Sequence, residues 1–360
     1  MLHEILFRDI VNDIATKYSS ENQNYPWIVG YSGGKDSTLV CHLVLSSLLQ
    51  IPPKNRTRKI YIITNDTLVE SPLICAHIDK TLDLIDNTSN VLNLPVYTVK
   101  TKPNPKETFW VFLIGKGYPT PNTHMRWCTD RLKIKPTSIF IKSHISKEGA
   151  AIIVLGVRKD ESNSRRMTIE KYEKMQNKNL SPHPSLNGAF VYSPISSLTT
   201  GTVWDFLAYE DPPWGGTHED LIQLYKDADA GECPMMVTKK ESGSCSRFGC
   251  WVCTLVKNDK SLESFAKATR DKQLHELIDF RNWLLSIRNN PDYRQIRRRN
   301  GIITFDKNDN HIPGPFTHKA RKMILDKLLE TQKKYTKQLI SQEEISEIVN
   351  IWAQELSETK

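Results

Sequence analysis

Residues 26–49 carry the feature that most restricts the fold. An apolar run, PWIVGY, turns through SGGKDS into a stretch where Leu39, Val40, Leu43, Val44 and Leu48 recur at helical spacing. A strand that turns through glycines straight into a helix opens a parallel sheet, because parallel neighbours need a crossover that a helix supplies. The alternation continues: residues 59–64 (KIYIIT), 95–100 and 151–155 (AIIVL) read as strands, and 72–92 as a helix. The expected fold class is α/β, a doubly wound parallel sheet that binds its ligand where loops leave the carboxyl ends of the strands.

The loop itself offers Ser32, Gly33, Gly34, Lys35, Asp36 and Ser37 at a strand-to-helix junction. Backbone N–H groups and the helix N-terminus there present partial positive charge to an anion. It is not a Walker A loop, which needs glycine where Val29 stands and serine or threonine where Asp36 stands. Without a ligand, Ser32 or Asp36 would serve as an ordinary helix cap. A second segment, LGVRKDESNSRR at 155–166, leaves the fourth strand carrying Gly156, Arg158 and Arg165. The planar guanidinium fork suits phosphate oxygens, and a solvated charged loop is the plainer alternative.

After residue 212 the alternation stops. DPPWGG reads as a linker, a cysteine-rich loop follows, and helical patterns near 261–288, 318–339 and 342–356 finish the chain, which places a boundary between residues 1–212 and 213–360. Residues 1–20 set Leu2, Ile5, Leu6, Ile10, Val11 and Ile14 at helical spacing between acids, unlike a secretion signal, and no apolar stretch approaches the ~20 residues of a membrane span. The expected setting is the cytoplasm, with no membrane partner. Seven cysteines in a reducing compartment are read first as metal or redox ligands.

Cys233, Cys245, Cys250 and Cys253 form a C-x11-C-x4-C-x2-C arrangement whose soft sulfur donors suit zinc or an iron–sulfur cluster; spacing leaves both open. Cys128 stands apart between Arg126, Asp130 and Arg131, where cations would lower its thiol pKa. Cys41 and Cys75 fall on helical patterns as small core residues. The net charge of +8 and pI near 9.0 fit a polyanionic partner. Arg294, Arg297, Arg298 and Arg299, close to Tyr293, form the strip that phosphate contacts plus base stacking would use, although a solvated helix end would look the same.

These motifs together carry a resemblance. SGGKDS resembles the loop of the PP-loop ATP pyrophosphatases, and the G-x-R-x-x-E-S pattern at 156–162 is similar to the PAPS reductase branch of that superfamily. DTLVESP (66–72), TFWVFLIGKGYP (108–119), RWCTDRLKIKP (126–136), GECP and SRFGCWVCTLVKNDKSLE (246–263) resemble the DndC/SspD-type sulfurtransferases of DNA phosphorothioation, over residues 25–330. The resemblance implies an adenine nucleotide alpha hydrolase-like sheet with a C-terminal iron–sulfur and helical domain. It implies ATP and Mg2+ as cofactors and cleavage of ATP to AMP and pyrophosphate. Ser32, Gly33, Gly34 and Ser37 would cradle pyrophosphate, Lys35 would neutralise it, and Asp36 would cap the helix or position magnesium. Cys233, Cys245, Cys250 and Cys253 would hold a 4Fe-4S cluster. Cys128 would carry sulfur or replace one of those ligands. DNA, a cysteine desulfurase and other phosphorothioation subunits are the implied partners. The expected activity is adenylylation of a DNA backbone phosphate for replacement of a non-bridging oxygen by sulfur. PAPS or APS reduction, tRNA thiolation and a non-catalytic ATP-sensing DNA-binding subunit are the alternatives.

Overall fold

The computed structural model describes residues 2–20, 25–123, 125–174, 180–228 and 248–358. Helix α1 (Leu2–Ser19) leads into strand β1 (Trp27–Gly30), helix α2 (Lys35–Gln50), strand β2 (Ile60–Asn65), helix α3 (Pro72–Val91) and strand β3 (Val96–Thr101). Two wide helical turns, Val111–Gly115 and Thr129–Ile134, precede α4 (Lys135–Glu148), β4 (Ala151–Val154), α5 (Asn163–Glu173), β5 (Ser181–Pro182) and β6 (Ala189–Tyr192). Helices α6 (Thr200–Tyr209), α7 (Glu219–Asp227), α8 (Lys260–Thr269) and α9 (Lys272–Ile287) follow, then a hairpin of β7 (Thr304–Phe305) and β8 (His311–Ile312), and helices α10 (His318–Tyr335) and α11 (Gln342–Glu358).

The main sheet has six strands in the order β3-β2-β1-β4-β6-β5, parallel except where β5 meets β6. The fold is therefore α/β with a mostly parallel sheet, as the alternation of apolar runs predicts. Strands β1 and β4 are almost entirely buried, as expected of a sheet covered on both faces. Gly30 pairs with Ile63 and Val29 with Val154, so the chain moves outward from β1 through β2 to β3 and returns on the other side as β4. The loops after β1 and β4 leave the sheet side by side at this switch point and pack against each other.

Local geometry departs from the sequence expectation in two places. The helical pattern near 261–288 is broken at Arg270, whose φ of 53° is left-handed, and it becomes α8 and α9. DPPWGG is packed rather than extended: Trp214 is buried, its ring lies against His42 and His218, and its carbonyl accepts from Thr88 Oγ1. One apolar cluster runs from Trp27 and Leu39 through Trp110 and Trp251 to Phe280, Leu328 and Ile348. Two indoles, Trp110 buried and Trp352 half-buried, fasten the last helices to the turn at 111–115: Trp110 Nε1 donates to Leu339 O (2.7 Å) and Trp352 Nε1 to Ile114 O (3.1 Å).

Candidate nucleotide and thiol site

The loop between β1 and α2 takes its shape from Gly33, whose φ of +72° is left-handed. A Cβ at Gly33 would also stand 2.6 Å from Ile78 Cγ1 of α3. Ser32 and Ser37 fold the loop onto itself: Ser32 N donates to Ser37 Oγ (3.2 Å), and that hydroxyl donates to Gly34 O (2.9 Å). Gly34 occupies the N-cap and no side chain caps α2, so the cap expected of Ser32 or Asp36 is not formed. The first turn of α2 thus has no side-chain cap, although one of its backbone donors, Lys35 N, is engaged. Tyr225 of α7 supports the turn from behind, its hydroxyl accepting from Lys35 N (3.2 Å). Nothing in the sequence links a tyrosine so far along the chain to this loop.

Lys35 is buried, with Nζ 3.3 Å from Asp36 Oδ2 and 5.7 Å from the centre of the Tyr225 ring. The other oxygen of Asp36 accepts from Arg158 Nε at 2.6 Å. Arg158, expected to grip phosphate, is only 1% exposed. Three of its four other guanidinium hydrogens go to Asp160 Oδ2 (3.4 Å), Leu198 O (3.2 Å) and Thr200 Oγ1 (3.1 Å). It therefore positions Asp36, and through it the phosphate loop, instead of meeting the anion directly. Gly156 completes the crossing of the two loops, because a Cβ there would lie 2.8 Å from both C and O of Asp36 and 3.0 Å from Ser37 N. Arg165 turns elsewhere. It pairs with Glu161 (3.5 Å) and lines a cavity of about 650 Å3 with Tyr172, His183 and Tyr192, to which none of residues 32–37 contributes.

Cys128 lies just before the turn at 129–134, and Cys250 and Cys253 share a tight turn closed by Cys253 N donating to Cys250 O (2.9 Å). Burial pushes the Cys128 pKa up and Cys253 adds to the rise; burial also raises Cys250, with Glu70 and then Cys128 adding to it. The lowering expected from Arg126 and Arg131 is not what the structure gives, because desolvation outweighs the opposing pull of Thr129 and Lys133. Cys250 is fixed to the loop after β2. Thr67 Oγ1 lies 3.5 Å from its sulfur, the thiol donates to Glu70 Oε2 (3.6 Å), and Trp251 N donates to Val69 O (3.1 Å). Glu70 also pairs with Lys133 (3.0 Å); burial opposes the charge on Lys133, but Cys250 and Glu70 outweigh it and raise its pKa. Cys233 and Cys245 lie outside the described residues. Among the described residues no group of three or more His, Cys, Asp or Glu side chains is set to hold a metal ion. The soft donor chemistry of Cys250 and Cys253 on one turn suits one. Cys41 is buried on α2, and burial pushes Cys75 up to about 12, which agrees with two inert packing thiols.

Behind the loop, His42 of α2 and His218 meet at 3.0 Å between Nδ1 and Nε2. Burial holds His42 down to about 3, helped by His218, and His218 down to about 4, helped by His77.

The arginine strip separates into two kinds. Arg294 is buried, and its guanidinium donates to Gly314 O, Arg288 O (2.7 Å) and Pro313 O (3.2 Å); burial lowers it to about 10, so it fastens a backbone corner and is not a DNA contact. Arg297 and Arg299 are exposed, Arg298 is half-buried, and the segment after α9 is a short 3-10 turn and loop rather than a helix end. Arg297 donates to Gly301 O (3.0 Å), and Arg299 reaches Lys116 O and the ring of Tyr118.

Comparison with known proteins gives one family model, the phosphoadenosine phosphosulfate reductase domain, which matches residues 26–256. An uncharacterised protein of Methanocaldococcus jannaschii is 25% identical over 203 residues, 56% of this chain and 35% of that protein. The match thus spans about a third of that relative's length. Similar solved structures include an NH3-dependent NAD synthetase from Campylobacter jejuni, with 14% identity, coverage of 81% and 97% of the two chains and a TM-score of 0.37. A PAPS reductase from Candida auris has 13% identity, coverage of 55% and 77% and a TM-score of 0.34. The U34-tRNA thiolase from Methanococcus maripaludis, solved with its 4Fe-4S cluster, has 13% identity, coverage of 78% and 80% and a TM-score of 0.34. Among the described residues, no helix is long and apolar enough to cross a membrane.

Proposed function

The chain belongs to the phosphoadenosine phosphosulfate reductase domain family, and from that premise we propose that it is an ATP-dependent DNA sulfurtransferase. In this reading ATP lies with its β and γ phosphates on the open first turn of α2, held by the backbone at Ser32, Gly33, Gly34 and Ser37, with Lys35 balancing their charge. An oxygen of a DNA backbone phosphate attacks the α phosphorus, pyrophosphate leaves, and the DNA phosphate carries AMP. That adenylylation matters because phosphate oxygen is otherwise a poor leaving group. The terminal sulfur of a persulfide on Cys128 then attacks the DNA phosphorus and AMP departs. A second thiol, supplied by the sulfur-delivering partner, breaks the S–S bond and leaves the phosphorothioate. A cysteine desulfurase is the class of partner that would load Cys128, and other phosphorothioation subunits would present the DNA.

Asp36 is the loop carboxylate that would share Mg2+ with the phosphates, where the ion supplies charge neutralisation on the departing pyrophosphate. Cys250 and Cys253 would hold an iron–sulfur cluster with Cys233 and Cys245, and the raised thiols mean that loading it releases protons. What supports the reading is the start of α2 without a side-chain cap after β1, and the turn bearing Cys250 and Cys253 bridged to the loop after the neighbouring strand β2.

Incubation with ATP labelled in the α phosphate should give labelled AMP and pyrophosphate; ADP would reject the reading. Reduction of PAPS or APS is a second reading favoured by the family match itself. It would leave ATP uncut and consume a thiol reductant in proportion to sulfite formed.

A further inference from the structure

Phe112, Tyr118 and Trp127 form an aromatic platform, with ring centres 5.1 Å apart for Phe112 and Tyr118, 5.4 Å for Phe112 and Trp127, and 5.5 Å for Tyr118 and Trp127. Three cations from separate parts of the chain lie on it. Lys116 Nζ sits 4.7 Å from the centre of the Phe112 ring, Arg131 Cζ 5.5 Å from the same ring, and Arg299 Cζ 5.2 Å from Tyr118. Arg299 also donates to the carbonyl of Lys116, which fixes the two side chains as neighbours.

Acids do not balance this charge. Among the described residues neither Lys116 nor Arg299 has a carboxylate within ion-pair distance, and Arg131 has only its chain neighbour Asp130 at 3.8 Å. Glu107 and Glu347 act on Lys116 from beyond ion-pair distance, and Glu107 is itself paired with Lys135. Burial lowers the Lys116 pKa; Glu107 and Glu347 oppose the fall, while Arg299 and Arg131 add to it. Each cation–π contact is worth roughly 0.5–1 kcal/mol at an exposed site, which holds the group in place without neutralising it.

We infer that Lys116, Arg131 and Arg299 are a binding track for the phosphodiester backbone of a nucleic-acid strand, leading to Cys128. Arg131 lies three residues beyond Cys128, in the wide turn that Cys128 opens, so the track runs to the turn that carries that thiol. A row of monovalent cations tied to aromatic rings fits successive phosphates of a strand better than a single compact anion. The inference rests on the sulfurtransferase reading for its purpose and extends that reading to residues outside the arginine strip.

The test is fluorescence anisotropy of the full chain with a labelled single-stranded DNA of roughly 15 nucleotides, titrated at several salt concentrations. Removing one cation that meets a phosphate should weaken binding about five-fold at 0.1 M salt and flatten the log–log salt slope by about 0.7. K116Q/R131Q/R299Q should therefore bind about a hundred-fold more weakly. K54Q, on an exposed turn at the opposite end of the sheet, should bind as the parent does. Hydrogen exchange on the unaltered protein is the second arm, with added DNA protecting residues 112–118 and 129–134. Unchanged affinity and slope in the triple variant, or no protection at those segments, would overturn the track. So would displacement of the DNA by polyglutamate at equal charge, which would make the partner an acidic protein. The products from α-labelled ATP are scored separately, so loss of DNA binding in a protein that makes no AMP would leave the track standing and remove only the sulfurtransferase reading.

Discussion

Gly156→Ala tests whether the crossing of the two loops sets up the phosphate site. Gly156 does not have a left-handed φ, so alanine meets no backbone penalty and the whole effect is steric. The added Cβ would stand 2.8 Å from C and O of Asp36 and 3.0 Å from Ser37 N, all backbone atoms that cannot rotate away. Ordinary separation is about 3.5 Å or more, so the loops must part by roughly 0.7 Å. Overpacking of this kind costs about 1–3 kcal/mol, which urea unfolding would read as a lower midpoint at unchanged slope. On the proposed function the first turn of α2 carries the phosphate donors, and a displacement near 1 Å can cost about 100-fold in turnover. Pyrophosphate release from ATP should therefore fall 10-fold to 100-fold, more than the stability loss alone would produce in a chain still folded at assay temperature. An alanine variant with an unchanged urea midpoint and turnover within two-fold of the parent would refute the geometry.

Other outcomes follow from single contacts. Lys35→Ala should abolish AMP formation while leaving thermal stability close to the parent, as judged by α-labelled ATP and calorimetry. Gly33→Ala forces a left-handed alanine against Ile78 and should cost about 2 kcal/mol or more, seen in the urea midpoint. Arg294→Met removes the donors for carbonyls at Arg288, Pro313 and Gly314; stability should drop by about 2–4 kcal/mol with the salt slope of DNA binding unchanged. His42 and His218 have folded pKa values of about 3 and about 4, below the ordinary 6.5, so the folded chain stays neutral while the unfolded chain takes up protons. Stability is full above about pH 6.5 and declines towards pH 4, by up to roughly 2–3 kcal/mol for each imidazole. Urea midpoints at pH 7 and pH 5 should differ less in His42→Gln.

The sheet was legible because β1, β2 and β4 are continuous apolar runs bounded by glycines and polar turns, a pattern that only a doubly covered sheet demands. The tight turn after β1 was legible as a strand-to-helix junction, since Gly33 takes the left-handed φ that such a glycine turn requires. Strand β6 was not, because four residues after a proline-containing strand of two carry too short a period to distinguish from a turn. Burial is what sequence conceals. Arg158 and Arg294 look like phosphate binders, yet each spends its guanidinium inside the fold, on Asp36 and its surroundings or on backbone carbonyls. Likewise, cations adjacent to Cys128 in sequence suggested a depressed thiol pKa, whereas desolvation and the approach of Cys253 reverse it. Tyr225 and Lys133 reached the site through tertiary packing alone.

The backbone pairing of Val69 and Glu70 with Cys250 and Trp251 ties the sulfur-bearing turn to the exit of β2, the strand beside the one whose loop pyrophosphate would leave. The turn is a passenger on that exit loop. On the proposed function, a shift of that loop would carry the thiol turn with it, next to the strand whose loop would hold the nucleotide.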